Sequence, residues 1–370
     1  MKVGTVKEIK HYEFRVGLTP MNVKEYVSRG HEVFVQAGAG LGSNFANEDY
    51  IAAGATILQT AEEVWAKCDM IVKVKEPLKE EYELMREDQI LYTYLHLAAE
   101  LPLTKALLER KVKGVAYETI VDNNGGLPLL KPMSEVAGKL SVQAGARCLE
   151  KIMGGRGVLL GGVPGTQKAN VVIIGGGVVG KSAMKMAIGL GANVTVFDNN
   201  LDTLTTLDDI WGAKIQTLYS TPSAIEAALM DADLVIGAVL IPGGAAPKLI
   251  KKDYLKKMKP GSVIVDVAVD QGGCAETTRV TYHDDPTFVV DGVVHYCVAN
   301  MPGAVSMTST IALTNATLAY GLKIADMGLE AAVQANKNLL PGVNTYKGHL
   351  TYEAVAAHFE MEYTDITTLL

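Results

Sequence analysis

Between Asn170 and Asp198 an apolar run, Val171-Val172-Ile173-Ile174, enters Gly175-Gly176-Gly177-Val178-Val179-Gly180, and a helix-forming stretch follows from Lys181 to Leu190. A second apolar run, Asn193 to Phe197, ends in Asp198. Few folds accommodate that succession. Gly175 permits a tight turn out of a strand, Gly177 lets backbone N–H groups come close to a pyrophosphate, and Gly180 lets the next helix pack closely on the strand. Asp198 stands 18 residues beyond Gly180, where a carboxylate at a strand tip hydrogen-bonds an adenosine ribose. The segment therefore predicts a βαβ dinucleotide cradle. A glycine-rich turn with an incidental aspartate is the other reading, and the strand and helix patterns on both sides weigh against it.

The rest of the chain must supply a fold around that unit. Its 370 residues are enough for two domains, and 48% hydrophobic against 20% charged residues excludes a disordered chain. A net charge of −7 argues against a nucleic-acid partner. No apolar run approaches the ~18 residues of a bilayer span, and residues 1–8 offer no signal-peptide core, so a cytoplasmic protein without a membrane partner is expected. Cys68, Cys148, Cys274 and Cys297 are far apart in sequence and form no C-x-x-C pair. Neither a metal site nor a redox dithiol is suggested.

Short Val- and Ile-rich runs alternate with helix-like segments, the pattern of parallel sheets with crossover helices. Strand candidates before the glycine turn are Val3 to Val6, Glu32 to Gln36, Met70 to Val74, Gln89 to Tyr94 and Gly114 to Tyr117. After it come Asn193 to Phe197, Lys214 to Tyr219, Leu234 to Ala238, Ser262 to Val267 and two runs between Phe288 and Cys297. Punctuation at Asn123 to Gly126 with Pro128 and Pro132, and at Met301-Pro302-Gly303, marks two hinges. Beyond Ala304 the chain reads as a long helix, Ser306 to Asp326, and a last amphipathic segment, Tyr352 to Phe359, with no strand set of its own. Helices alone make a poor core over that length, so this segment should return to pack on the amino-terminal part. The fold expected is α/β with two Rossmann-like, doubly wound domains. A dinucleotide domain, 129–304, is inserted into a discontinuous substrate domain, 1–128 and 305–370.

Ligands of parallel sheets bind outside the carboxyl ends of strands. Lys75 and Glu76 close one strand of the first block, His96 another and Glu118 a third, while Arg15 follows the first strand on a loop. A guanidinium there can clamp a carboxylate bidentately. Each residue has a plainer reading: a solvated charge for Arg15 and Lys75, a backbone-bonded histidine for His96, a cap or salt-bridge partner for Glu118. Asp270 ends the run Val263 to Val269 before Gln271-Gly272-Gly273 and could equally be a turn-former.

With these residues in place the whole chain resembles the alanine dehydrogenase and nicotinamide nucleotide transhydrogenase family. The motifs are Val6-Lys7-Glu8-Ile9-Lys10 with Phe14-Arg15-Val16-Gly17-Leu18-Thr19-Pro20, Val72-Lys73-Val74-Lys75-Glu76-Pro77, Tyr94-Leu95-His96-Leu97, the glycine turn with its strand, and Val265-Asp266-Val267-Ala268-Val269-Asp270. The resemblance implies that Arg15 and Lys75 hold a substrate carboxylate, that His96 acts as acid/base, and that Asp270 sits at the reacting carbon. It also implies cofactor contacts at Ser134, Val178, Asp198, Ser220, Val239, Arg279 and the loop Val298 to Met301, with Ala299 and Asn300 between them. Gly175, Gly177, Val179, Gly180, Thr203, Leu240 and the run Val267, Ala268, Val269 and Asp270 complete the expected cofactor set. The assembly implied is a homo-oligomer, a hexamer.

Two positions depart from the family's pattern. Thr5-Val6-Lys7 lacks the usual proline before the lysine, which bears on loop rigidity. Thr203 stands where a basic residue is common, and with Asp198 present this favours NAD over its 2′-phosphorylated form. The activity implied is reversible oxidative deamination of L-alanine to pyruvate and ammonium with NAD. The alternatives are the NAD-binding subunit of a proton-translocating transhydrogenase, which has no use for a carboxylate clamp with an acid/base histidine, an opine-type dehydrogenase, which needs further basic anchors, and a non-catalytic NAD sensor.

Overall fold

The computed structural model describes residues 1–239 and 246–370. The chain divides into two compact units, Met1–Met133 with Val305–Leu370, and Ser134–Ala304. The second is therefore an insertion within the first in chain order, and each is built on its own sheet.

In the first unit β1 (Lys2–Thr5), β2 (Glu32–Gln36), β3 (Thr56–Leu58), β4 (Met70–Val72), β5 (Ile90–Thr93) and β6 (Lys113–Ala116) run parallel in the spatial order β3-β2-β1-β4-β5-β6. The chain winds outward from β1 in one direction and from β4 in the other. A crevice at the carboxyl ends of adjacent β1 and β4 is where such a sheet binds ligands. All residues of β4 and β5 are buried, as strands covered on both faces must be. One core cluster here packs Trp65, Ile71, Leu91 and Leu107 against Leu350 and Val355 of the returning carboxy-terminal segment.

In the second unit β7 (Asn170–Ile174), β8 (Asn193–Asp198), β9 (Gln216–Tyr219), β10 (Leu234–Gly237), β11 (Val263–Asp266), β12 (Thr287–Val290) and β13 (Val293–Tyr296) take the order β12-β13-β11-β10-β7-β8-β9. Only β12 is antiparallel within it. The reversal of winding falls between β7 and β10. This is the Rossmann order with one added edge strand.

Three sequence expectations need correction. The segment beyond Ala304 does carry strands: β14 (Val343–Tyr346) and β15 (His349–Leu350) form a hairpin that extends the first sheet antiparallel to β6. Its signal is weak because Asn344 and Thr345 are polar yet buried, and Thr345 Oγ1 accepts from Gly114 N–H while donating to Val112 C=O. Its turn places Lys347 and Gly348 at φ 49° and 84°, a primed turn with lysine where asparagine or aspartate is usual. Edge strand β3 lacks an apolar run and is missing from the strands read in the sequence. Lys214 belongs to a 3₁₀ turn, Gly212–Lys214, rather than to β9.

Candidate active site

The glycine turn joins β7 to the helix Val178–Gly189. Gly175 has φ 107°, and a Cβ there would sit 2.6 Å from Ala238 O. A Cβ on Gly180 would lie 1.8 Å from Gly175 O, so helix and strand approach as only glycine allows. Gly177 differs. Among the described residues a Cβ on it would meet nothing within 4 Å, so they do not require glycine at that point, and the space suits a phosphate pressed against the helix terminus. We expect Gly177→Ala to leave the thermal midpoint within a degree or two while weakening dinucleotide binding. Gly180→Ala should instead cost ~1–3 kcal/mol of stability or more, and equal midpoints for the two variants would contradict this division.

Asp198 is held from two sides. Its Oδ2 accepts from Gly176 N–H at 2.7 Å and its Oδ1 from Asn200 N–H at 2.8 Å, which fixes the carboxylate beside the turn. The other expected cofactor residues gather mostly at the same edge of the sheet. Ser220 follows β9, Val239 follows β10, Val267, Ala268, Val269 and Asp270 form the 3₁₀ turn Val267–Gln271 after β11, and Val298, Ala299, Asn300 and Met301 follow β13. Val178 and Val179 open the helix, and the Thr203 methyl lies near Gly176. Ser134 lies in the first turn of the helix Lys131–Cys148, whose Gly138 packs on Val179. The exposed Arg279 lays its guanidinium over Phe288, 4.3 Å from the ring centroid. Leu240 falls outside the described residues.

The turn bearing Asp270 is organised by a neighbour. Buried Asp266 accepts from the N–H groups of Ala268, Cys274 and Ala275 and from the Thr278 hydroxyl, leaving Asp270 exposed.

In the first unit the candidate substrate residues stand on loops after β1, β4 and β5. Lys75 is pinned through its backbone, its N–H to Glu8 Oε1 at 3.3 Å and its C=O to the Thr93 hydroxyl at 3.1 Å. Among the described residues its ammonium has no hydrogen-bond or salt-bridge partner. Burial first, and then the charge of Arg15, hold its pKa below the ordinary lysine value. Two desolvated cations side by side favour an anion between them.

Arg15 is 2% exposed, which excludes the reading as a solvated charge. Its Nε and Nη2 donate to the two oxygens of Glu13 at 2.7 and 2.6 Å, and its Nη1 lies 3.0 Å from Met133 Sδ. The bidentate edge expected to grip a substrate is thus already engaged. The Arg15 loop is itself seated by Thr310, whose hydroxyl accepts from Val16 N–H at 3.2 Å.

His96 takes a left-handed conformation, φ 48° and ψ 36°. Glu118 accounts for it: its carboxylate accepts from Leu95 N–H at 3.0 Å and His96 N–H at 2.6 Å, so Glu118 is an anchor of the loop. The ring is 41% exposed, with Nδ1 3.0 Å from Oε2 of nearly buried Glu76. The other Glu76 oxygen pairs with Lys10. Beneath lies an ion cluster in which Lys73 bridges Glu8 at 3.1 Å and Glu81 at 2.9 Å. Sequence reasoning missed Glu8, Glu13 and Glu81, because a carboxylate's partner across a fold leaves no local pattern.

Among the described residues no group of three or more His, Cys, Asp or Glu could hold a metal ion, and no helix is long and apolar enough to cross a membrane.

Two Rossmann-like units, one with a dinucleotide turn and one with buried lysine and arginine side chains near a strand-end histidine, define a nucleotide-dependent α/β enzyme class. The family model of the alanine dehydrogenase/PNT N-terminal domain matches residues 4–137, and that of the C-terminal domain matches residues 141–353. The chain belongs to the alanine dehydrogenase/PNT family. It is 56% identical to the alanine dehydrogenase of Methanococcus maripaludis over 98% of both chains. A solved L-alanine dehydrogenase superposes with TM-score 0.95 at 52% identity, covering 97% of this chain and 99% of that one. A transhydrogenase from Sinorhizobium meliloti, at 24% identity and TM-score 0.82 over 96% of this chain and 100% of that one, shares the fold. Family and fold together imply a nicotinamide nucleotide cofactor.

Proposed function

We propose that this protein catalyses the reversible oxidative deamination of L-alanine to pyruvate and ammonium, with NAD as its cofactor. The observation that carries the reading is the desolvated ammonium of Lys75 beside Arg15, unpaired among the described residues and near a histidine fixed at a strand end, in a chain more than half identical to alanine dehydrogenases over its full length. The first unit is the substrate domain and the second the cofactor domain. The residues at the carboxyl edge of the second sheet, with Ser134 and Arg279, hold the cofactor.

Lys75 and Arg15 bind the alanine carboxylate, which orients Cα–H and turns an encounter into a near-attack geometry. With its ammonium proton lost to solvent, alanine reacts as the neutral amine, and a bound nicotinamide would supply the hydride acceptor that leaves an iminium. Water adds to the resulting iminium carbon, and His96 takes the proton that this water loses. The carbinolamine then collapses: its nitrogen takes back the proton held by His96 and leaves as ammonia, and the hydroxyl proton released as the carbonyl forms passes to that ammonia, giving pyruvate and ammonium. Asp270 offsets the positive charge on the substrate nitrogen. In reverse, imidazolium polarises the pyruvate carbonyl.

Mixing the protein with NAD⁺ and L-alanine at alkaline pH and following reduced nicotinamide by absorbance tests the reading directly. No alanine-dependent reduction would overturn it. NAD should exceed its 2′-phosphorylated form in kcat/KM, because a carboxylate at Asp198 repels a 2′-phosphate, and Asp198→Ala should narrow the gap. Equal efficiencies in the parent protein would remove that argument. A hexamer in the cytoplasm completes the proposal, with four buried free cysteines fitting a reducing compartment. A monomer by sedimentation would refute the assembly.

A further inference from the structure

We propose that Glu76 is a positioning residue that fixes the tautomer and direction of the His96 ring, leaving Nε2 as the basic nitrogen. This rests on His96 being the acid/base and deepens that reading. The geometry restricts the ring from two sides. Glu118 holds the backbone in a left-handed conformation that costs a non-glycine residue roughly 1 kcal/mol or more, and Glu76 holds Nδ1 at 3.0 Å. One nitrogen is thereby committed, so chemistry falls to the other.

The charge on Glu76 decides which nitrogen bears the proton. Burial pushes its carboxyl up, but the hydrogen bond with His96, the charges of His96 and Lys75, and the Lys10 contact outweigh this and hold it well below the usual carboxylate range. An ionised carboxylate only accepts, so in the neutral ring Nδ1 must donate. Among the described residues the charged and titratable groups around the pair include Lys10 on the loop after β1, Lys75 beside Glu76, Tyr82 on the helix Lys79–Tyr82, Tyr94 with its ring centroid 5.8 Å from that of His96, and Glu118 after β6. Lys10 and Lys75 keep Glu76 an anion, and its charge then offsets the imidazolium formed when Nε2 takes a proton from the attacking water.

The test uses protein labelled with ¹⁵N-histidine, without cofactor, with a His96→Asn spectrum to assign the His96 signals. The wild-type ring should show protonated Nδ1 and unprotonated Nε2. Glu76→Gln, with a near-native thermal midpoint, should disturb that tautomer. It should also lower kcat by at least ~10²-fold, toward the ~10⁴ that a misplaced tautomer costs a catalytic triad, with KM for alanine and NAD binding little changed. Glu76→Asp should recover part of the rate. A wild-type ring protonated on Nε2 overturns the proposal even if Glu76→Gln fails to fold, and so does a folded Glu76→Gln with wild-type kcat and an unchanged tautomer. Should the protein not oxidise alanine at all, the assigned activity fails while the tautomer measurement still decides the role of Glu76.

Discussion

His96→Ala is expected to lower kcat by about 10²–10⁴, the contribution of a general acid/base, while NAD binds as before. The separation follows from where the groups stand. His96 is carried by the loop after β5 of the first sheet, whereas the glycine turn and Asp198 belong to the second. The ring is 41% exposed, so its removal opens no core cavity, and the remaining cost is that of alanine held left-handed by Glu118. A modest fall in thermal midpoint should therefore accompany a large fall in rate. Both alanine oxidation and pyruvate reduction should be affected, because the same imidazole serves both directions. Titrating cofactor by fluorescence and measuring single-turnover rates would check the separation. A variant retaining more than about a tenth of wild-type kcat would make the histidine structural and turn attention to Asp270.

How far the sequence reaches can be seen by comparing Gly177 with Glu13. The glycine turn is legible because strand, turn, helix and acid are consecutive, and Gly175 and Gly180 answer local steric demands that the structure shows. Strands β4, β5, β7, β10 and β11 are legible for a similar reason, since burial on both faces writes a continuous apolar run. The hairpin β14–β15 is not, because its buried Thr345 satisfies polar groups 231 and 233 residues away. At the candidate site, Arg15, Lys75 and His96 are visible as polar residues at strand ends. Glu76 and Glu118 are visible too, but not whom they pair with, since Glu76 reaches His96 only because β4 and β5 are neighbours. Glu13 is not visible at all: it is two residues from Arg15 but pairs with it only because the loop turns back on itself. Sequence reading thus supplies charged residues at strand ends and leaves out the pairings that decide how each is used.

That difference separates Arg15 from Lys75 and gives the sharpest expectation for the substrate pocket. Arg15→Met removes the guanidinium that pairs bidentately with a buried carboxylate, Glu13, and breaking such a buried pair costs about 3–5 kcal/mol. It should unfold the first unit or lower its thermal midpoint severely, whatever its effect on catalysis. Lys75→Met breaks no pair, because that ammonium has none among the described residues. It removes instead a cation that burial and Arg15 disfavour, so the variant should be as stable as the parent at neutral pH, or more so. The pH dependence carries the sign. With a folded pKa below the unfolded value of ~10.4, Lys75 binds more proton in the unfolded chain over the window between the two, and wild-type stability should gain as pH rises through that window. Lys75→Met should lose that gain. Its kinetic cost should fall on the substrate: loss of one charge-assisted hydrogen bond to a carboxylate, about 1.5–3 kcal/mol, amounts to roughly 10- to 150-fold in kcat/KM for both alanine and pyruvate, with NAD affinity unchanged. Chemical denaturation across pH, set beside steady-state kinetics, measures both halves. A destabilised Lys75→Met with wild-type KM would make Lys75 a structural lysine and leave the carboxylate without its proposed anchor.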